Sequence, residues 1–239
     1  MPDWWRTPVT PDLATADPAM LLLALQFGDS AFPSGGFAFS WGLEGLAADG
    51  LVDGAEDVAE IIAQQLSLRW SSMERILATR AYAAADLDAL INVDLLAEAT
   101  TLSEPMRAGS RRAGRALLGV GARLVLDGVA RYREAVADDA RLGHLAVVQG
   151  MVFRASGLTL PLTELLSGWA VITGLTSAAV RLGLIGHIQA LTMTGSLRAT
   201  LAGLLRIPVA ADAEPSSFTP LVDIAMTRNA QRDMRMFAT

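Results

Sequence analysis

Apolar residues at helical spacing, with almost no alternating β-branched run, are the feature that most restricts the fold of this chain. Val58, Ile61, Ile62 and Leu66, for example, recur on one face of a helix. No Asn-Gly or Asp-Gly turn joins two alternating runs, as a short β-hairpin requires. The sequence therefore predicts an all-α protein, a single-domain bundle of about ten helices.

Capping residues and prolines indicate where helices begin. Asp17-Pro18 and Thr219-Pro220 each place a polar side chain before a proline at the first helical position, and Asp86 is a third N-cap. We expect a helix from 55 to break or bend near Ser71-Ser72, and a last helix to reach about Arg232. Further predicted segments are helices over 106–125, 162–182 and 184–206, and a polar connection over 127–141.

No linker divides the chain, so 18–239 is predicted to form one domain after a flexible tail at 1–17. Hydrophobic residues make up 52% of the 239 residues and charged residues only 18%. This excess of apolar surface favours a homodimer or a larger complex. The charge-free windows 165–180 and 182–197 are shorter than the roughly 18 to 20 residues of a spanning helix, so we expect no membrane insertion.

The composition excludes several chemistries. There is no cysteine and there are only two histidines, so we predict no resident metal and no cofactor. All 19 basic residues are arginine, which excludes a P-loop lysine and a Schiff-base lysine. The net charge of −6 argues against nucleic acid as a partner. No signal peptide is recognisable at the start, and a cytoplasmic protein is the simplest interpretation.

Arginines and glycines share the predicted helix at 106–125. Arg107, Arg111 and Arg115 recur at every fourth position, which is typical of a solvated face and also fits an anionic partner surface. Four glycines lie in the same stretch. Because glycine destabilises a helix interior, they indicate close contacts with neighbouring helices, and they are Gly109, Gly114, Gly119 and Gly121.

The segment 21–52 combines a helical apolar run with a loop rich in glycine and proline, and four large aromatic rings flank the break in that loop: Phe32, Phe37, Phe39 and Trp41. Such rings at a loop indicate burial against the protein or a partner. Around Ser40 the sequence is one glycine short of the nucleophile elbow of serine hydrolases, with His144 or His187 as the base. The elbow requires a strand before it, whereas residues 21–25 are predicted helical. His144, beside an apolar run, is predicted to be a core histidine rather than a ligand.

Three motifs resemble those of one family. Residues 25–44 read L-Q-F-G-D-S-A-F-P-S-G-G-F-A-F-S-W-G-L-E and resemble the signature D-S-x-F-P-x-G-x-F-x-x-S-x-G-L-E of the UreF family, the urease accessory proteins. Residues 143–150, G-H-L-A-V-V-Q-G, are similar to its G-H-x-x-V-V-x-G segment, and the R-M-F-A-T ending resembles its R-L-F-R-S terminus. The resemblance covers most of the chain after about residue 20.

The resemblance implies an all-helical homodimer without enzymatic activity. Such a protein would link the UreD/UreH–urease apoprotein complex to the GTPase UreG and regulate nickel delivery. In the family, the signature loop and the extreme C-terminus are associated with partner docking. Carried over to this chain, this implies partner-binding roles for Phe37, Ser40, Glu44, Arg235 and Phe237.

The end of the chain is predicted to dock on a partner. Arg228, Arg232 and Arg235 recur at roughly helical spacing in a terminal segment that is too short to form a stable helix alone. Arginine and aromatic residues often anchor interfaces. We therefore add Arg228 to the partner-binding residues, and we expect removal of residues 235–239 to weaken assembly without lowering the melting temperature.

Overall fold

The computed structural model describes residues 17–29, 32, 39–233 and 235–237, and every regular element among them is helical. Three consecutive elements, an α-helix, a π-helix and a second α-helix, form one unbroken rod, so the described residues contain ten helices, as predicted. The bounds are α1 Pro18–Gly28, α2 Leu43–Ala48, α3 Ala55–Gln65, a π-helical segment Leu66–Glu74, α4 Arg75–Ala83, α5 Leu87–Thr100, α6 Glu104–Arg123, α7 Val129–Asp138, α8 Leu145–Ala155, α9 Leu160–Arg181, α10 His187–Leu205 and α11 Pro220–Asn229.

The predicted helix starts are confirmed. The Asp17 carboxylate accepts a hydrogen bond from the Ala19 amide at 3.0 Å, and Pro18 is the first residue of α1. Asp86 accepts from the Ala89 amide at 2.8 Å at the start of α5. Pro220 begins α11, but this helix ends at Asn229 rather than near Arg232.

The helix does not break at Ser71-Ser72, where a break or a bend is predicted, so the break is wrong. The helix continues through both serines as a π-helix, and the Ser71 hydroxyl donates to the Ser67 carbonyl oxygen at 2.8 Å. A serine hydroxyl bonded one turn back is compatible with a helix interior. Burial holds the segment in place, because Trp70 is buried and its indole nitrogen donates to the Ser167 hydroxyl of α9 at 3.0 Å.

The polar connection predicted at 127–141 is also wrong, because most of it forms α7. This helix buries Val129, Tyr132 and Val136, which recur at helical spacing. The charged residues between them, on the exposed side of the helix, concealed this pattern in the sequence. Helices α9 and α10 lie close to their predicted positions, and Gly183, with a φ of 73°, ends α9.

Two apolar clusters form the interior. The first contains side chains of α2, α3, α9, α10 and α11 together with Phe237. The second contains side chains of α1 and of α4 to α8. The rod from α3 to α4 joins them, because Trp70 belongs to the first cluster and Met73 to the second. The C-terminal segment is thus part of the first cluster.

Glycines permit the predicted close contacts at two of the four expected positions, Gly114 and Gly121, whereas Gly109 has only ordinary contacts with side chains outside the helices. A side chain at Gly114 would overlap the Gly143 carbonyl oxygen, and one at Gly121 would press on Val152. Gly119 has no neighbour within 4 Å, so the prediction is wrong there. The closest approach of α8 to α4 occurs at Gly150, where a Cβ atom would overlap the Ala78 carbonyl oxygen.

We predict that Gly150→Ala destabilises the protein by about 1–3 kcal/mol, because α4 and α8 would have to separate. Gly119→Ala is the matched control. It should stabilise by about 0.5–1 kcal/mol, since alanine is the better helix former and nothing opposes its methyl group. Urea unfolding of both variants measures the difference. Equal stabilities for the two variants would contradict the proposed close contact.

Candidate functional site

The S-W-G-L-E-G stretch of the signature motif, residues 40–45, positions α2 directly on α11. Trp41 and Gly42 both have left-handed backbones, with φ of 47° and 93°, and they turn the chain into α2. A side chain at Gly42 would clash with Val222, and one at Gly45 would overlap the Ala225 carbonyl oxygen. The two glycines therefore allow the two helices to pack almost backbone to backbone.

Glu44, between these glycines, binds the end of the chain. Its buried carboxylate accepts hydrogen bonds from the Asn229 side-chain amide at 3.0 Å and from the Met236 amide at 2.5 Å. The Phe237 amide lies 3.4 Å away in a third, longer bond. One acidic side chain of the signature motif thus joins α2, α11 and the C-terminal segment.

Asp49 forms a second connection just after α2. Its carboxylate pairs with Arg232 at 2.5 Å and with Arg228 at 3.4 Å. The hydrogen bond from Arg232 holds the pKa of Asp49 below its usual value. Because Arg228 and Arg232 also lie at the end of α11, they reinforce the docking of α11 on α2.

Phe237 is buried, and the Arg181 guanidinium lies 4.2 Å from its ring centroid. The expectation that the terminal segment can be removed without loss of stability is therefore wrong. A buried aromatic side chain contributes several kcal/mol to folding, and removing it leaves a cavity. The burial of Phe237 also shows that residues 235–237 are not a frayed end.

The outward side of α11 is an exposed apolar stripe. Phe218, Leu221 and Ile224 recur at helical spacing and are 74%, 59% and 49% exposed. Arg228 continues the same side of the helix, with 65% of its side chain exposed. We call these four residues the α11 face. Contiguous apolar side chains of this size on a surface typically mark an interaction site.

The predicted partner-binding residues fall into three groups. Ser40, Glu44 and Phe237 are buried inside the chain, while Arg228 and Arg235 are exposed. Phe37 lies outside the described residues. The structure joins Glu44 to Phe237 directly, and it joins both to Arg228 through α11.

No motif or spacing in the sequence indicated three further residues of this site. Asp49, Arg181 and Asn229 complete the contacts with α11 and the C-terminal segment, but only the folded chain brings them together. The spacing of Phe218, Leu221 and Ile224 was visible in the sequence and indicates the α11 face.

The hydrolase alternative is wrong. The apolar run at 21–25, which the elbow would need as a strand, lies in helix α1. Ser40 itself is buried. His144 bonds elsewhere, to Glu98 and Ser110, and His187 is exposed at the start of α10. Within the described residues, neither imidazole has a hydrogen bond with Ser40.

A buried polar network holds the G-H motif. Asp94 is fully buried and accepts hydrogen bonds from the Tyr132 hydroxyl and from the Gly143 and His144 amides. Burial raises the pKa of Asp94 and also that of Tyr132. The His144 ring bonds to Glu98 at 2.8 Å and lies 3.3 Å from the Ser110 hydroxyl. This confirms His144 as a core histidine.

The three predicted arginines of α6 bind within the chain. Arg111 pairs with Glu98 and Glu104, and Arg107 pairs with Glu104 and donates to the Thr101 carbonyl oxygen. Arg115 donates to the carbonyl oxygens of Ala140 and Leu142. They are therefore not a purely solvated face, while their contact with an anionic partner surface stays a prediction.

Within the described ranges, no group of three or more His, Asp or Glu side chains is placed to hold a metal ion. The helices described here also include none that is long and apolar enough to cross a membrane.

We predict an acid-dependent loss of stability at His144. Burial lowers its pKa, so the folded protein holds a neutral ring while the unfolded chain takes up a proton near pH 6.5. This stabilisation is complete above pH 6.5 and decreases as the pH falls towards the lower folded pKa. Between pH 6.5 and 5.5 the loss is up to about 1 kcal/mol.

Urea unfolding of the natural chain and of His144→Gln across this range isolates the effect. Glutamine retains hydrogen bonding to Glu98 but does not titrate, so the variant should lose less stability on acidification. The comparison also cancels the opposite contribution of Asp94, whose raised pKa favours the folded state as the pH falls. Parallel pH profiles would contradict the assignment.

Comparisons with known proteins agree with the motifs. The sequence model of the UreF family matches residues 52–198. The urease accessory protein UreF of Trichodesmium erythraeum (strain IMS101) is 26% identical over 234 residues, which cover 95% of this chain and all of that protein. The UreF protein of Kocuria rhizophila is 31% identical over 166 residues, 68% of this chain and 70% of its own length. The UreF protein of Yersinia pestis (strain Pestoides F) is 26% identical over 222 residues, 91% of this chain and 97% of its own length. The chain therefore belongs to the UreF family of urease accessory proteins, and it is an accessory protein rather than an enzyme.

Proposed function

We propose that this protein is an adaptor in urease maturation. It links the UreD/UreH–urease apoprotein complex to the GTPase UreG, and it regulates the delivery of nickel, which passes as cargo and is not a resident cofactor. The observation that carries this proposal is the α11 face, an exposed apolar stripe along the helix that precedes the docked C-terminal segment.

The proposed site contains two kinds of residue: buried residues that hold the segment in place and exposed residues that would contact a partner. Glu44 and Phe237 hold the C-terminal segment, and buried Ser40 lies in the turn that leads into α2. Arg228, which pairs with Asp49, and Arg235 are both exposed, and we propose that both contact a partner surface. We assign the α11 face to UreD/UreH and the Arg235 side to UreG. A partner-binding role for Phe37, which lies outside the described residues, is part of the same proposal.

We further propose that the protein is a cytoplasmic homodimer formed by a single domain, 18–239. The tail predicted at 1–17 lies outside the described residues except for Asp17. Exposed leucines on α1, Leu22 and Leu25, together with Ile188 and Leu191 on α10, provide apolar surface outside the α11 face. A stable interface requires roughly 1,000 Å² or more of buried surface. Neither nucleic acid nor a membrane is a proposed partner.

A reconstituted assembly tests the adaptor. The chain is bound to UreD/UreH and urease apoprotein of the same organism, and the affinity of UreG is measured by calorimetry. Arg235→Ala should weaken UreG binding at least about tenfold, which is 1.4 kcal/mol. Its circular dichroism spectrum and melting temperature should stay unchanged, because the side chain is exposed.

In the same assembly, Ile224→Ser should weaken the first step, binding to UreD/UreH. Leu102→Ser and Arg206→Ala are matched controls, since both side chains are exposed and lie on other elements. Failure of the natural chain to bind UreD/UreH or UreG would contradict the adaptor function. Natural affinities for both Arg235→Ala and Ile224→Ser would contradict only the assignment of the site.

A further inference from the structure

The hairpin of α6 and α7 is a basic region in an acidic protein. Between Glu104 and Asp138 the chain has seven arginines and four acidic residues, although its net charge is −6. Three of these arginines bind within the chain, as described above, and Arg112 lies over the Phe39 ring. Within the described part of the chain, the exposed side chains Arg123, Arg131 and Arg133 have neither an ion pair nor a hydrogen bond.

The turn that joins the two helices contains an unusual residue. Val125 has a φ of 56°, in the left-handed region, and it is 88% exposed. The turn ends α6 with two backbone hydrogen bonds, from Val125 to Ala122 and from Leu126 to Gly121. Helices that end in this way normally have glycine or asparagine at the left-handed position, because a β-branched side chain is strained there.

Two unfavourable features therefore coincide at one position, backbone strain and an exposed apolar side chain. No contact given for the described residues compensates for them, whereas a partner that covers the side chain would. Leu124, 48% exposed, extends the apolar tip, and Arg123 and Arg131 flank it on the two helices. Asp127 is the acidic residue of the same turn, so the flanking charge remains positive overall. We call residues 123–131 the α6–α7 corner.

We propose that the α6–α7 corner is a second docking site, one that inserts Leu124 and Val125 into an apolar recess edged by carboxylates on another protein. The inference rests on the proposed function, because the partner is sought among the proteins of urease maturation. The apolar tip supplies the buried contact, while Arg123 and Arg131 attract the acidic rim and orient it. The site is separate from the α11 face, which lies on a different helix.

The variant Val125→Gly tests the backbone strain and the binding contact by two separate measurements, the melting temperature and the affinity for the partners. Glycine adopts the left-handed backbone without strain, so the variant should melt about 2–4 °C higher than the natural chain. It also removes the apolar tip, so its affinity for the assembly of UreD/UreH, urease apoprotein and UreG should fall at least about fivefold, or 1 kcal/mol. A variant that becomes more stable and binds less tightly cannot owe its weaker binding to misfolding.

The double change Arg123→Ser with Arg131→Ser should weaken binding and flatten its dependence on salt, because exposed charges are screened at high ionic strength. Leu102→Ala, which truncates a side chain 78% exposed at the start of α6, and Arg206→Ser are the controls and should bind as the natural chain does. Both changes are measured by surface plasmon resonance against each purified partner, at low and high salt.

Binding by Val125→Gly at the natural affinity, together with its higher melting temperature, would overturn the proposal and leave a strained turn without a partner. An unchanged melting temperature would also contradict it, since the strain argument would be wrong. Loss of self-association in light scattering, with natural affinity for all partners, would assign the corner to a second copy and overturn the proposed occupant. These results differ from failure of the adaptor function, in which the natural chain itself would not bind.

Discussion

The carboxylate of Glu44 is the contact on which the proposed docking region depends. It is buried, and among the described residues no arginine forms an ion pair with it, so N–H groups must satisfy its charge. They come from Asn229 at the end of α11 and from the backbone amides of Met236 and Phe237. Hydrogen bonds to a charged acceptor are stronger than neutral ones, and leaving this carboxylate without them is costly. A residue near the N-terminus thereby determines where the C-terminus lies.

This contact requires that α2 and α11 approach closely, which only glycine permits. Gly42 and Gly45 bring the α2 backbone to α11, and Leu43 and Leu46 bury the same short helix in the first apolar cluster. A helix of six residues has little stability of its own, so its position depends on this packing. The docking region is consequently formed by the tertiary fold rather than by any single segment. A partner that binds the α11 face would contact a surface that is already assembled.

The sequence predicted what depends on local chemistry. The helical class followed from the spacing of apolar residues, and the helix starts followed from Asp17, Asp86 and Thr219. The family followed from motifs, whose physical basis the structure now supplies: Gly42 and Glu44 in the signature, and His144 beside Asp94 in the second motif.

The sequence did not predict contacts between distant residues. The burial of Phe237 depends on α9, and the pairing of Asp49 with Arg232 joins residues 183 positions apart. Helix α7 was missed because its few buried residues are separated by charged ones, and the helix through Ser71 was missed because serine usually favours a helix end. In each case tertiary burial determined the structure against a weak local preference.

Hydrogen exchange at the Met236 and Phe237 amides tests the role of Glu44 most directly. By nuclear magnetic resonance, both amides of the natural chain should exchange at least about tenfold more slowly than in Glu44→Ala, since one hydrogen bond to a carboxylate is worth about 1.5–3 kcal/mol. Amides in the middle of α9 should be equally protected in both proteins. Unprotected exchange of both terminal amides in the natural chain would show that the segment is not held, and it would contradict the account.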